Sequence, residues 1–130
     1  MTEHVCRAAV VHCIDFRFCR ALDTFFEEQY PSGYDDVVIA GGVKDIVEKE
    51  DQSFALGQLK LSMRLHRPKE IVLVQHEDCG AYGGSATLGE NELEHQKAQL
   101  ASAAAILKKE FPDAVLKTYL ILLSQEIIAV

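Results

Sequence analysis

The chain has 130 residues, of which 48% are hydrophobic and 25% charged, and its formal net charge is −7 at pH 7. These values are typical of one globular domain, and the absence of clustered Lys and Arg argues against a nucleic-acid surface. No segment approaches the roughly 18 apolar residues of a membrane span. Because the N-terminus lacks a charged leader followed by an apolar stretch, we expect a cytoplasmic protein whose four cysteines are reduced.

Short, β-branched apolar runs alternate along the chain with longer segments in which apolar residues recur every three or four positions. The short runs are typical of strands covered on both faces, and the longer segments of amphipathic helices. In chain order we predict a strand over 8–13, a helix over 18–29, a strand over 36–40, a helix over 51–66, a strand over 70–75, a helix over 91–110 and a strand over about 114–122.

Proline-containing turns end all three predicted helices, at Pro31-Ser32-Gly33, Arg67-Pro68 and Phe111-Pro112-Asp113. Alternating strands and helices imply βαβ units with right-handed crossovers. We therefore predict an α/β fold for residues 1–130 as a single domain, with an open, mainly parallel sheet of about four strands flanked by helices. The ligand site of such a sheet lies beyond the carboxyl ends of its strands.

Three side chains that zinc prefers follow two of these strands. Cys13 comes where the first strand ends, and His76 and Cys79 come where the third ends. Taken singly, each residue is ordinary in a protein core, but two thiolates and an imidazole at one edge of the sheet predict a zinc site. Three protein ligands leave a fourth position for water, whose pKa would fall to about 7 and give a hydroxide nucleophile at neutral pH.

Asp15 and Arg17 lie two and four residues after Cys13. Asp15 has two alternative roles: it orients a hydroxide on the ion, or it fills the fourth position itself and closes the site. Arg17 is able to pair with Asp15 and keep it ionised. The alternative interpretation of these two residues is a simple surface ion pair.

The other cysteines and histidines are not expected to join this site. His12 adjoins Cys13, but neighbouring side chains of a strand point to opposite faces, so the two should not bind one ion. Ala40-Gly41-Gly42 would let the backbone approach the same edge, although a plain turn explains these residues as well. We interpret the remaining residues as core or near-surface thiols, Cys6 and Cys19, and as surface histidines, His4, His66 and His95.

Three motifs follow the predicted strands: Cys-x-Asp-x-Arg after the first, Ala-Gly after the second, and His-x-x-Cys-Gly, within HEDCGAY, after the third. In this order and spacing they resemble the β-class carbonic anhydrases. This resemblance extends from about residue 8 to residue 122. It implies Zn²⁺ bound by Cys13, His76 and Cys79, an Asp15–Arg17 pair beside it, and reversible hydration of carbon dioxide to bicarbonate. It also implies a homodimer or a larger even assembly.

The sequence departs from this family pattern at several positions. Members commonly have Ser where this chain has Phe16, and Arg-Asn where it has Val38-Ile39. We expect no counterpart here to the helical arm that precedes the first strand in typical members, and a shorter part after the last strand. We expect these departures to affect the positioning of substrate more than the binding of metal, as in a short, divergent relative.

Three other functions compete with carbon dioxide hydration. The same site would serve a zinc hydrolase of another small substrate, or a catalytically silent zinc-binding protein in which Asp15 is a permanent fourth ligand. His12-Cys13 also resembles the His-Cys-x5-Arg loop of cysteine phosphatases. Here six residues separate Cys13 from Arg20, and none of them is a glycine that would let backbone amides hold phosphate, so this function is rejected.

Overall fold

The computed structural model describes residues 4–130 and contains a five-stranded sheet with helices on both faces. The predicted α/β class is confirmed. The strands are β1 (Ala8–His12), β2 (Asp35–Val38), β3 (Glu70–His76), β4 (Val115–Ile121) and β5 (Ile127–Ala129). The helices are α1 (Phe16–Gln29), α2 (Lys44–Lys49), α3 (Phe54–His66), α4 (Gly84–Leu88) and α5 (Glu92–Glu110).

The strands lie in the order β2-β1-β3-β4-β5. The first four are parallel, and β5 pairs antiparallel with β4. Every residue of β1 and of β3 is buried, as expected for central parallel strands covered on both faces. Since parallel strands end at the same edge, the residues that follow β1, β2 and β3 meet there.

Two hydrophobic layers enclose the sheet. On one face, α1 packs Phe18, Leu22 and Phe26 against Val10 and Val72 of the central strands. On the other face, α2, α3 and α5 pack against the alternate side chains of the same strands. The alternation of side chains along each strand assigns successive residues to opposite layers, so β1 and β3 anchor both halves of the core.

Side-chain caps set the starts of the two long helices that flank β2. The carboxylate of Asp15 accepts the backbone N–H of Arg17 and begins α1, and the hydroxyl of Ser53 accepts the N–H of Leu56 and begins α3. The second predicted helix therefore starts three residues later than expected, because 50–52 form a separate 3₁₀ turn. It ends before Arg67, which is left-handed with φ 49°.

Three short elements were not predicted: α2, α4 and the edge strand β5. Each has six residues or fewer, too few for a helical or strand period to show. A turn over 122–126, closed by a hydrogen bond from the N–H of Leu122 to the carbonyl of Glu126, reverses the chain into β5. In the part of the chain that the structure describes, no helix has both the length and the apolar character needed to cross a membrane.

Candidate metal centre

Cys13, His76 and Cys79 come together at the carboxyl edge of the sheet. Cys13 directly follows β1, His76 is the last residue of β3, and Cys79 precedes the 3₁₀ turn over 80–82. Their candidate ligand atoms all lie within 4.8 Å of one another. His76 and Cys79 are buried and Cys13 is partly buried. The side chains thus form a compact group of two sulfurs and one nitrogen that could hold a metal ion.

The ring of His76 is oriented so that one nitrogen faces this group without a hydrogen bond. Its Nδ1 lies 2.7 Å from the carbonyl oxygen of Glu77, which only accepts, so Nδ1 carries the proton. In the neutral ring Nε2 therefore carries the lone pair, and it is buried without a hydrogen-bond partner. A buried polar atom of this kind is costly unless something else satisfies it. Zinc, which binds neutral imidazole and thiolates, fits this donor set.

The two thiols interact with each other and with the backbone. A hydrogen bond from Cys79 lowers the pKa of Cys13, and the same bond raises the pKa of Cys79. The N–H of Gly41 also donates to the Cys13 sulfur at 3.3 Å. Burial alone would lower the pKa of His76, but the nearby Cys13 sulfur and the hydrogen bond to the Glu77 carbonyl raise it. Negative charge is therefore concentrated on Cys13, as metal ligation requires.

Asp15 and Arg17 form a tight ion pair beside these side chains. The guanidinium of Arg17 donates to the two carboxylate oxygens of Asp15 at 2.7, 3.0 and 3.2 Å. The Asp15 Oδ2 atom lies 3.9 Å from the Nε2 atom of His76. Hydrogen bonds from Arg17 lower the pKa of Asp15 and keep its carboxylate ionised.

The Arg17 guanidinium also donates hydrogen bonds to Asp78, a contact that the sequence does not predict. The Asp78 carboxylate accepts from Arg17 at 3.1 Å and its carbonyl at 2.9 Å. Asp78 has φ 57°. Its N–H donates to the carboxylate of Glu92 at 2.5 Å, and its own carboxylate accepts the N–H of Ser85 at 2.8 Å. The position of Asp78 inside the His-x-x-Cys segment is the only sequence signal for this role.

The loop after β2 lies against the site, and its approach leaves no room for a side chain at Gly42. Gly42 has φ +56°, and a Cβ atom there would lie 2.3 Å from the Oε1 atom of Gln75. Gln75 bridges this loop to β3, because its amide donates to the carbonyl of Gly41 at 3.0 Å and accepts the N–H of Val43 at 2.9 Å. The two glycines thus bring the backbone N–H of Gly41 to Cys13.

The sequence matches the family described as "Putative carbonic anhydrase" over residues 3–127. The chain belongs to the carbonic anhydrase family. Its fold is similar to that of the solved carbonic anhydrase from Glaciozyma antarctica, with a TM-score of 0.67 and 21% identity; the match covers 99% of this chain and 84% of that one. It is similar to the carbonic anhydrase from Streptococcus mutans with a TM-score of 0.66 and 20% identity, and that match covers 98% of this chain and 83% of the other. It is also similar to beta-carbonic anhydrase isoform I from Trichomonas vaginalis (TM-score 0.66, 15% identity, 99% of this chain and 85% of that one).

Two curated relatives are uncharacterized proteins. One, from Rickettsia conorii, is 26% identical, and the match covers 85% of this chain and 64% of that protein. The other, from Rickettsia bellii, is 24% identical, and the match covers 85% of this chain and 73% of that protein. The chain therefore spans less than two thirds of the length of the first relative.

The positions that depart from the usual carbonic anhydrase pattern have different environments. Phe16 is 86% exposed at the start of α1, and Val38 is 39% exposed at the end of β2. Ile39 instead packs against the core formed by α2, α3 and α5. Two of these three apolar side chains therefore face solvent, near the edge of the sheet where the carbonic anhydrase pattern has polar residues.

The remaining candidate residues lie away from this group, with one unexpected result. The buried ring of His12 contacts Asp36 at 2.8 Å, as its position on the opposite strand face implies. Cys19 donates to the carbonyl of Asp15 at 3.4 Å, and His95 packs edge-on against Tyr82. Cys6, expected as a core or near-surface thiol, and His66, expected as a surface histidine, lie together with Asp35.

Proposed function

We propose that the chain is a zinc-dependent carbonic anhydrase that converts carbon dioxide and water reversibly to bicarbonate. The observation that carries this proposal is the buried, unpaired Nε2 atom of His76, which faces two cysteine sulfurs within a carbonic anhydrase fold. Buried polar atoms without a partner are uncommon in protein cores, and a metal ion bound beside the two sulfurs would satisfy this nitrogen. Cys13, His76 and Cys79 would hold the ion.

Zinc at this position would act as a Lewis acid, lower the pKa of a coordinated water to about 7 and so supply the nucleophile. The side chains around it control protonation and access. The Nδ1–H of His76 is held by the Glu77 carbonyl, which fixes the tautomer that leaves Nε2 free to coordinate. Gly41 donates to the sulfur of Cys13 and stabilises its thiolate form.

Asp15 would accept a hydrogen bond from the group in the fourth position and orient it toward the substrate. Its carboxylate lies 3.9 Å from the Nε2 atom of His76, which is within reach of a molecule bound next to that nitrogen. Both of its oxygens are held by Arg17, which in turn is held by Asp78. These bonds favour Asp15 as an orienting acceptor over Asp15 as a fourth ligand.

The surroundings of the site suit a small, uncharged substrate. Ile14 and Phe16, which alternate with Asp15 and Arg17 along the chain, are 58% and 86% exposed. They add apolar surface beside the ionised pair, where a nonpolar molecule such as carbon dioxide loses little by leaving water. Bicarbonate, the charged product, would be favoured by the nearby guanidinium of Arg17.

We further propose a homodimer or a larger even assembly that works in the cytoplasm. A groove of about 960 Å³ lies between α1 and the last strand, and its lining includes the apolar residues Phe16, Phe25 and Ile127. Burying such a groove against a second copy would remove exposed apolar surface from water. The four free cysteines suit a reducing compartment.

Stopped-flow measurement of carbon dioxide hydration by the zinc-loaded protein tests the proposal. We expect activity at neutral pH that is lost when the zinc is removed by a chelator. Absence of activity at both neutral and alkaline pH would rule out the carbonic anhydrase assignment and leave a hydrolase of another substrate, or a silent zinc protein. Activity confined to alkaline pH would instead indicate that Asp15 closes the site as a fourth ligand.

A further inference from the structure

A second group of side chains that could hold a metal ion lies at the opposite, amino-terminal edge of the sheet. Cys6 is two residues before β1, Asp35 is the first residue of β2, and His66 is the last residue of α3. Their candidate ligand atoms lie within 4.8 Å of one another. The extended chain from Cys6 to Cys13 places the two groups roughly 20 Å apart, so they do not share an ion.

Hydrogen bonds fix the relative positions of the three residues. The Nδ1 atom of His66 and the hydroxyl of Ser62 both lie 2.6 Å from the Asp35 Oδ2 atom. The N–H of Cys6 donates to the carbonyl of His66 at 3.1 Å, which ties the segment before β1 to the end of α3. A preorganised arrangement of this kind lowers the cost of ordering ligands around an ion.

The group is open to solvent on one side. The side chains of His66 and Asp35 are 25% and 29% exposed. A small cavity of about 130 Å³ is lined by His4, Cys6, Asp35 and His66, among others. The ring of His4 lies 4.7 Å from that of His66, centroid to centroid, so that a fourth nitrogen donor stands at the same opening.

The Cys6 thiol donates to the carbonyl of Ala8 at 3.3 Å, and the two 2.6 Å hydrogen bonds of Asp35 do not involve this thiol. The contacts of Asp35 with Ser62 and His66 would fasten the end of α3 to β2 without any help from a thiol or from a second imidazole. Cys6 and His4 add one sulfur and one nitrogen donor on the solvent side of that contact. Ligands around tetrahedral zinc lie about 3.5 Å apart, so side-chain movements of roughly 1 Å would bring Cys6, Asp35 and His66 into coordination.

We propose that Cys6, Asp35 and His66 form a second metal site, which binds Zn²⁺ with His4 as the fourth ligand. Thiolate and imidazole donors favour zinc over the oxygen-seeking ions Mg²⁺ and Ca²⁺. With four protein ligands this site is closed and structural, since no position remains for a reactive water. The ion would fasten the segment before β1 to β2 and α3. This proposal does not depend on catalysis at the carboxyl edge.

Metal binding to the full-length, metal-free protein tests this site. The chain is titrated with Zn²⁺ alone, and bound metal is counted after equilibrium dialysis. We expect two ions per chain in the unchanged protein and one in Cys6→Ser, with at least a tenfold loss of affinity for the second ion in His66→Gln. Cys19→Ser is the matched thiol control, and it should retain two ions. Far-UV circular dichroism checks that each variant is folded.

The site at the carboxyl edge is removed separately by Cys79→Ser. In that variant we expect one remaining ion. When Co²⁺ replaces this zinc ion, it should show a thiolate-to-metal absorption band. Adding Cys6→Ser to the same chain should abolish the band. One ion or fewer per chain in the unchanged protein, with that ion lost in Cys79→Ser, would overturn the second site alone. Two ions retained in folded Cys6→Ser and His66→Gln would overturn it as well.

Discussion

His76 owes its orientation to contacts on two sides. One ring nitrogen bonds the carbonyl of Glu77, and the ring packs against Phe18 with 4.5 Å between the centroids. These contacts leave the second nitrogen directed at Cys13 and Cys79. The fold of the chain therefore holds the three candidate ligands within 4.8 Å of one another.

Cys79→Ser is expected to abolish stoichiometric zinc at this group. A serine hydroxyl is a poor zinc ligand beside thiolate and imidazole, and the remaining two donors do not complete a stable site. Elemental analysis of the purified protein measures the loss, with Cys19→Ser as the control that keeps its metal. If Cys79→Ser and the unchanged protein bound equal amounts of zinc, Cys79 would not be a ligand.

Asp15→Asn should keep zinc and lose turnover. Asparagine caps a helix about as well as aspartate, so α1 should remain intact, but the neutral amide no longer pairs with the charge of Arg17. We expect at least a hundredfold lower kcat for carbon dioxide hydration, as is usual when a positioned polar group is removed. Stopped-flow kinetics and zinc content are measured together.

Asp113→Asn is the matched control for this substitution, since Asp113 is exposed in the turn before β4, at the edge of the sheet opposite the Asp15–Arg17 pair. It should leave both turnover and zinc unchanged. Full activity in Asp15→Asn would remove Asp15 from the mechanism, and loss of zinc in that variant would make it a ligand.

At the scale of whole elements, the loop between β2 and α2 depends on Gly42. The φ of +56° and the close approach to Gln75 both exclude a side chain. Gly42→Ala should destabilise the protein by about 1–3 kcal/mol, because the added Cβ strains the backbone and displaces the Gln75 amide that accepts from Val43. Urea unfolding followed by circular dichroism measures this change.

Gly57→Ala is the matched control, and it should raise the stability of the protein instead of lowering it. Gly57 lies inside α3, and a Cβ atom there would meet nothing within 4 Å. Alanine should stabilise the helix by about 0.5–1 kcal/mol. Equal effects of the two substitutions would show that the Gly42 loop tolerates a side chain and is not held by Gln75.

The long elements could be predicted from sequence because each contains its own signal. The runs in β1 and β3 are uniformly apolar, and the period of α3 and α5 spans several turns. The short strand β5 could not be predicted, since its three residues acquire their conformation by pairing with β4. Tertiary contact, not local pattern, determines such segments.

The candidate metal centre, like the fold, could be predicted only in part from the sequence. Cys13, His76 and Cys79 follow parallel strands, whose carboxyl ends must meet, and their assignment as zinc ligands stays a prediction. The role of Asp78 depends on a left-handed turn that no spacing rule indicates. The group of Cys6, Asp35 and His66 was missed because its members come from a strand start, a helix end and a loop far apart in sequence.

For the molecule as a whole, Glu70 connects three elements at the amino-terminal edge of the sheet. It is 6% exposed, yet its carboxylate contacts Arg7 at 2.6 Å, Lys117 at 2.5 Å and the hydroxyl of Tyr30 at 3.0 Å. Burial alone would raise the pKa of Glu70, but the hydrogen bonds from these three residues lower it. The ionised carboxylate therefore joins β3 to β4 and to the end of α1.

The depressed pKa makes part of the stability depend on pH. A carboxylate with a lower pKa in the folded than in the unfolded chain stabilises the fold above its ordinary pKa, near 4.5, and loses this contribution as the pH falls further. At pH 7, Glu70→Gln should lower the free energy of unfolding by about 1–2 kcal/mol. Below pH 4 the difference from the unchanged protein should shrink.

Urea unfolding at several pH values measures this difference. The exposed Glu94 supplies the control, since Glu94→Gln should change the free energy of unfolding by less than about 0.5 kcal/mol throughout. A deficit in Glu70→Gln that stayed constant down to the lowest pH would mean that the charge of Glu70 contributes nothing.

The candidate ligands at the carboxyl edge come from two chain segments roughly sixty residues apart, one after β1 and one after β3. An ion held between them would be a reversible cross-link that closes this long loop of the chain. Because an unfolded chain loses the correct spacing of all three ligands, the free metal concentration would set how often the central strand pair separates. Metal supply would then govern the lifetime of the folded chain and its resistance to proteolysis.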